Sequence, residues 1–248
     1  MNSSRSHMAV AAAPEPAAVT VEGLTKRYGR TTVVDRLSFT VRSGAVTGFF
    51  GPNGAGKTTV LKAVAGLVRP TAGRVLVRGR ATVSDPRVLG VHIEPCGAHP
   101  GRTARAHLGA LAVLAGLPPA RVGEVLELVG LEDAAKRRVG TYSLGMRQRL
   151  GLAAALLGDP DILVLDEPVN GLDPQAIRRL RTLIRERARR GATTLLSSHI
   201  LSEAARIVDD VVIIDQGRLL RAGTVQELTS PSTSLDDVFH DLTEGRSA

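Results

Sequence analysis

Apolar residues recur along the chain with two periods, and the alternation between them lays out its elements. Val19-Thr20-Val21-Glu22-Gly23-Leu24 alternates and predicts a strand. Residues 25–30 read as a turn carrying Tyr28, and residues 33–41 as one or two further strands. Arg42-Ser43-Gly44 turns into Ala45-Val46-Thr47-Gly48-Phe49-Phe50, an apolar run with the length of a buried strand. Residues 59–67 follow with helical spacing, and the breakers of residues 69–73 separate them from a short strand at 74–77. Residues 89–93 predict another strand, ending at Glu94.

From 103 to 140 the period turns helical. Leu108, Leu111, Ala112 and Ala115 share one face, Val122, Val125, Leu126 and Val129 another, and Pro118-Pro119 separates the two helices. A helix opens at Tyr142-Ser143, with Ser143 as its N-cap, and runs to about Leu157. Ile162-Leu163-Val164-Leu165 reads as a buried strand ending in Asp166-Glu167-Pro168. The turn Asn170-Gly171-Leu172-Asp173-Pro174 leads into a helix whose apolar stripe is Ile177, Leu180, Ile184 and Ala188. After it come a strand at 193–197, Ser198-His199, a helix, a strand at 211–214, a turn at Gln216-Gly217 and two short helices. Strands alternating with helices predict an α/β fold with a mostly parallel sheet. The early strands predict a separate N-terminal antiparallel β-subdomain, and residues 95–150 a helical subdomain inserted between strands.

The strand at 45–50 and the helix at 59–67 flank Gly51-Pro52-Asn53-Gly54-Ala55-Gly56-Lys57-Thr58-Thr59. This stretch fits G-x-x-x-x-G-K-[ST], the P-loop pattern, in the strand–loop–helix setting that the pattern needs. The chemistry is anion binding. Glycines let the loop curl so that successive N–H groups point inward, and a helix N-terminus adds partial positive charge. Gly51, Asn53, Gly54, Ala55, Gly56 and Thr59 would cradle phosphates, Lys57 would reach the β- and γ-phosphates of ATP, and Thr58 would ligate Mg2+.

Composition narrows the setting. The chain has 248 residues with 43% hydrophobic positions, enough for a sizeable core. No run of about 18 apolar residues lacks charges or breakers, so no membrane span is expected. Pro14-Glu15-Pro16 interrupts the Ala-rich start, which argues against a signal peptide. Residues 1–17 read as a disordered tail or tag, 18–223 as the main domain, and 224–248 as a short helical tail. Cys96 is the only cysteine, so no internal disulfide exists and a cytoplasmic setting fits. The net charge of +8 comes from arginines, with only four lysines. That charge suits a nucleotide, a nucleic acid or an anionic membrane face. Few aromatics are available for base stacking and no reader motif is recognisable, so no nucleic-acid partner is expected.

The pair Asp166-Glu167 at a strand end, downstream of a P-loop, fits a Walker B site. Asp166 would hold Mg2+ and Glu167 would act on the water that attacks the γ-phosphate. A strand-end acidic pair could also serve only as a cap or a solvated loop. His92, Cys96, His99 and His107 fall near Glu94 and could suggest zinc, although their spacing matches none of the standard structural pairs. The arginines beside the 177–188 stripe read as a solvated helix face.

The order of motifs resembles the ATP-binding subunit of ABC transporters. Tyr142-Ser143-Leu144-Gly145-Met146 is similar to the family signature that usually reads LSGGQ, Asn170-Gly171-Leu172-Asp173 to its D-loop, and His199 to its switch histidine. Tyr28 stands where the family places an aromatic on adenine; simple surface packing is the alternative. The resemblance implies an Mg2+-dependent ATPase that works with a separate transmembrane permease subunit at the inner face of the membrane. It also implies a head-to-tail homodimer formed on ATP binding, with Ser143, Gly145 and Asp173 facing the partner's nucleotide. Catalytic roles fall to Glu167, His199 and Lys57. Two departures stand out. Leu144 replaces the signature's first glycine, and Glu94 replaces a glutamine that senses the metal and the membrane partner; a carboxylate there can still ligate Mg2+ but adds a charge and loses an amide donor. The signature, the segment His99-Pro100-Gly101-Arg102-Thr103 and the late Ser234-Leu235-Asp236-Asp237-Val238-Phe239 resemble bacterial antibiotic or multidrug exporter subunits. A soluble ATPase of this type acting on ribosomes or nucleic acid is the competing reading.

Overall fold

A computed structural model describes residues 17–81, 83–198, 201, 205–230 and 233–244. Two sheets carry the fold. The smaller is antiparallel, in the order β2-β1-β4, from β1 (Ala17–Tyr28), β2 (Thr31–Arg42) and β4 (Ala72–Val77). The larger contains β3 (Val46–Phe50), β5 (Leu89–His92), β6 (Ile162–Leu165), β7 (Thr193–Ser198), β8 (Asp210–Asp215) and β9 (Arg218–Thr224). Its order is β5-β6-β7-β3-β8-β9, parallel except for the antiparallel edge strand β9. This is the P-loop NTPase architecture expected from the sequence, with the N-terminal β-layer and the inserted helices.

Strand composition explains the layering. The central strands are buried on both faces, as parallel strands covered by helices must be. Successive residues serve opposite cores, because side chains alternate across a strand. In β6, Ile162 and Val164 join the core between the two sheets, whereas Leu163 and Leu165 join the core under the helices. Phe49 and Phe50 divide the same way, and the Phe49 ring meets Phe39 of β2 at 5.2 Å between centroids. Helix α1 (Lys57–Val64) packs Val60 and Leu61 into the inter-sheet core. The helical layer comprises α2 (Ala104–Leu114), α3 (Ala120–Leu128), α4 (Leu144–Ala155) and α5 (Pro174–Arg189). Two short helices, α6 (Val225–Leu228) and α7 (Leu235–Glu244), follow β9, and Leu235 of α7 is buried in the helical core.

The structure corrects several sequence expectations. The turn expected at 25–30 is strand as far as Tyr28, because β1 tolerates breaks in register with β2 around Gly23 and continues pairing to Thr31. Ala17, assigned to the tail, already pairs with Arg42. Strand β9 was missed. Its residues are mostly exposed and lack apolar alternation, yet they pair with all of β8. Helix α1 starts at Lys57 and ends at Val64, a turn earlier than its apolar spacing suggests. The helix expected after His199, and His199 itself, lie outside the described residues.

Candidate functional site

The parallel strands end along one edge of the large sheet, the edge where open α/β sheets place ligands. β3 runs into the P-loop there. Gly51 packs so closely that a Cβ would lie 2.4 Å from the Ile214 carbonyl oxygen. Gly56 caps α1 in a left-handed conformation, φ 101°, with the Val33 carbonyl oxygen 2.9 Å from where its Cβ would be. Only glycine suits such positions. Lys57, the first residue of α1, is buried, and its Nζ donates to the carbonyls of Gly51 at 2.7 Å and Pro52 at 3.2 Å. Burial pushes the Lys57 ammonium below its usual pKa, opposed by the nearby carboxylates of Glu167 and Asp166.

β6 delivers the carboxylates. Thr58 Oγ1 donates to Asp166 Oδ2 at 2.7 Å, and Lys57 Nζ lies 3.9 Å from Glu167 Oε1. Ser197 on β7, which no sequence motif marks, holds the turn. Its hydroxyl donates to Asp166 Oδ1 at 2.6 Å and accepts from the Glu167 N–H at 2.9 Å. Glu167 adopts φ 47°, a left-handed conformation that costs a non-glycine residue about 1–3 kcal/mol. Thr58 Oγ1 and Asp166 Oδ2 form a pair of hard oxygen donors at a helix N-terminus, a donor set that suits Mg2+. Lys57, Thr58, Asp166 and Glu167 thus form one cluster. Asp166 itself is buried and bonded to both Thr58 and Ser197.

The remaining candidates lie elsewhere. Tyr28, at the end of β1, is 48% exposed, and Lys26 Nζ sits 4.9 Å from its ring centroid. Ser143 caps α4 by accepting from Met146 N–H, and Asp173 caps α5 by accepting from Ala176 N–H at 2.8 Å. Gly145 touches the turn before α5: a Cβ there would lie 2.4 Å from the Gly171 carbonyl oxygen. Gly171 has φ 70°, and a Cβ there would lie 2.7 Å from Leu144 Cδ2, so the half-exposed Leu144 lies over the D-loop. Among the described residues, no hydrogen bond or ion pair links Ser143, Gly145 or Asp173 to Lys57 or Thr58.

Glu94 also stands apart. It borders an open cavity of about 570 Å³ with Pro95, Cys96, Leu144, Arg147 and Gln148, and it accepts from Gln148 Nε2. It is not hydrogen-bonded to Thr58 or Asp166 among the described residues. Gln148 in turn faces His92, a buried imidazole whose pKa burial pushes down. Among the described residues no three His, Cys, Asp or Glu side chains gather as a metal group. Ser197, Gln148 and His92 carry no motif. A polar residue at a buried strand end, or on the inner face of an apolar helix, was the signal available for them.

This geometry defines a P-loop nucleotide site with a Walker B acid pair, and the comparisons place it in a family. The ABC transporter family profile matches residues 34–170, more than half of the chain. The chain belongs to the ABC transporter family and is its ATP-hydrolysing component. It is 45% identical over 203 residues to a bacitracin transport ATP-binding protein of Bacillus licheniformis, covering 79% of this chain and 66% of that protein. It is 35% identical to a lantibiotic transport ATP-binding protein of Streptococcus pyogenes, covering 89% and 95%. A solved ATP-binding subunit of an ABC transporter superposes with TM-score 0.83 at 31% identity, covering 91% of this chain and 99% of that one. A dimeric bacterial ABC transporter cassette shares the fold, with TM-score 0.77 at 22% identity.

Proposed function

We propose that this chain drives export of an antibiotic-like compound through a separate transmembrane permease, docked at the inner face of the membrane. No helix among the described residues is long and apolar enough to cross a membrane, so the reading assigns the path to another subunit. The names of the relatives, which transport bacitracin and a lantibiotic, support the substrate class.

The observation that carries the mechanism is the cluster of Lys57, Thr58, Asp166, Glu167 and Ser197 at one sheet edge. In this reading the loop N–H groups and Lys57 bind the β- and γ-phosphates, turning from the Gly51 and Pro52 carbonyls to do so. Thr58 and Asp166 hold Mg2+, which when bound neutralises charge on the phosphates. Glu167 accepts a proton from the attacking water. Tyr28 stacks on adenine. Ser143, Gly145 and Asp173 complete the site from a second copy, and His199 contacts the γ-phosphate. Glu94 would lend a further carboxylate to Mg2+ and would face the permease.

Glu167→Gln tests this. The substitution keeps size and one acceptor but removes the carboxylate, which hydrolysis needs and ground-state binding does not. The variant should bind MgATP, turn it over very slowly and run as a dimer with MgATP but as a monomer without it, as judged by light scattering. Normal hydrolysis would refute the role of Glu167. Tight binding without turnover in a persistent monomer would count against the head-to-tail dimer. Adding Ser143→Arg should abolish the dimer.

A further inference from the structure

Gln148 is 3% exposed, and both ends of its amide are engaged. Its Nε2 donates to Glu94 Oε1, and its Oε1 faces His92 Nε2. A carboxylate only accepts, so the amide nitrogen must be the end that faces Glu94. Oε1 is then left to accept, and His92 must carry its ring proton on Nε2. The backbones around this chain of bonds are packed without slack. A Cβ on Gly151 would lie 2.2 Å from His92 Cε1, and one on Gly90 would lie 2.1 Å from the Ala155 carbonyl oxygen. Helix α4 therefore rests on β5 through two glycines, and one of them exists to admit the imidazole. On its other side His92 pairs in register with Leu165, and its carbonyl accepts from Asp166 N–H at 2.8 Å. A single residue thus stands between the strand end that bears Asp166 and Glu167 and the helix that begins at Ser143. Gln148 lies about 7.5 Å along that helix from its cap.

We infer that His92 and Gln148 are positioning residues: their relay sets the helix bearing Ser143 and Gly145 against the Asp166-Glu167 strand end and ties the Glu94 carboxylate to that helix. The inference rests on the ATPase reading above and deepens it. Burying an imidazole and an amide is costly unless both are paired, and an apolar pair would fill the same space. What the polar pair adds is direction. Each bond fixes an orientation and a register, which apolar packing does not. Neither side chain is hydrogen-bonded to the P-loop among the described residues, so nucleotide binding by one chain does not depend on them. Turnover does, because it needs the start of α4 and Glu167 placed to match a second copy.

A double-mutant cycle tests the relay in the full chain. Gln148→Glu replaces the donor with a second carboxylate against Glu94. It should lower kcat about tenfold with KM for ATP nearly unchanged, an effect of the size coupled neighbours show. In the Glu94→Gln background the same change should cost less than about threefold. There an amide at 94 donates to the carboxylate at 148, whose second oxygen still accepts from His92. Equal losses in the two backgrounds would overturn the relay. If Gln148→Glu does not fold, His92→Leu replaces it, with the same fall in kcat expected and an unchanged kcat overturning the inference. A second measurement is independent of turnover. Nitrogen NMR of histidine-labelled protein should find the His92 ring protonated on Nε2. A ring protonated on Nδ1 alone would overturn the relay while leaving the ATPase reading intact, whereas failure of the ATPase reading would leave that tautomer in place.

Discussion

Ser197→Ala would remove one oxygen atom from a fully buried position and two hydrogen bonds with it. The bond to Asp166 involves a charged acceptor and contributes about 1.5–3 kcal/mol; the bond from the Glu167 N–H is neutral and contributes about 0.5–1.5 kcal/mol. The expected destabilisation is therefore about 2–4.5 kcal/mol. In a chain of this length that corresponds to a fall in Tm of about 4–18 °C. A catalytic consequence should accompany it. Glu167 is held at φ 47°, and the Ser197 hydroxyl anchors its N–H in that strained turn. A shift that weakens the transition state by about 1.4 kcal/mol slows kcat about tenfold. Thermal and urea unfolding would measure the first effect, and ATP hydrolysis at saturating MgATP the second. Destabilisation below about 0.5 kcal/mol with kcat within about twofold would refute the argument, since that is the range of an uninvolved surface site.

Three further outcomes follow from the same geometry. Lys57→Ala should weaken MgATP binding at least about tenfold by calorimetry, because a charge-assisted pair is lost; unchanged affinity would remove Lys57 from the site. Tyr28→Ala should weaken ATP far more than inorganic polyphosphate, because in the proposed site the ring stacks on the base and not on the phosphates; equal losses would mean that the ring acts through folding. Gly145→Ala would place a methyl 2.4 Å from the Gly171 carbonyl oxygen and should cost about 1–3 kcal/mol, read as a lower urea midpoint, whereas Gly109→Ala on α2 has open space around it and should not destabilise.

The candidate phosphate loop was legible because the chemistry proposed for it needs fixed spacing. A loop that must present successive N–H groups and then a lysine at a helix N-terminus has little freedom in sequence, and Gly51 to Thr58 shows it. Asp166 and Glu167 were legible because a fully apolar strand precedes them. Ser197 was not, since a serine at the end of β7 differs from its neighbour Ser198 only in what lies beside it in the sheet. The His92–Gln148–Glu94 relay was hidden for a related reason. Its members are 56 and 54 residues apart in sequence and meet only because α4 lies on β5. Glu94 stands out in the sequence as a departure from the family's glutamine, whereas nothing in the sequence marks its partner on α4. In the fold, the buried central strands were readable from their apolar runs. β9 was hidden because an edge strand is specified by its neighbour's free hydrogen-bonding groups more than by its own side chains.

The contact between Gly145 and Gly171 has a mechanical consequence. Where two segments touch through side chains, a small displacement of one is absorbed by rotamer changes in between. Here backbone rests on backbone, and Leu144 closes over the contact from outside. The start of α4 and the turn ahead of α5 therefore form a stiff corner with almost no lost motion. A shift of a few tenths of an ångström at Asn170-Gly171 arrives at Ser143 and Gly145 nearly undiminished.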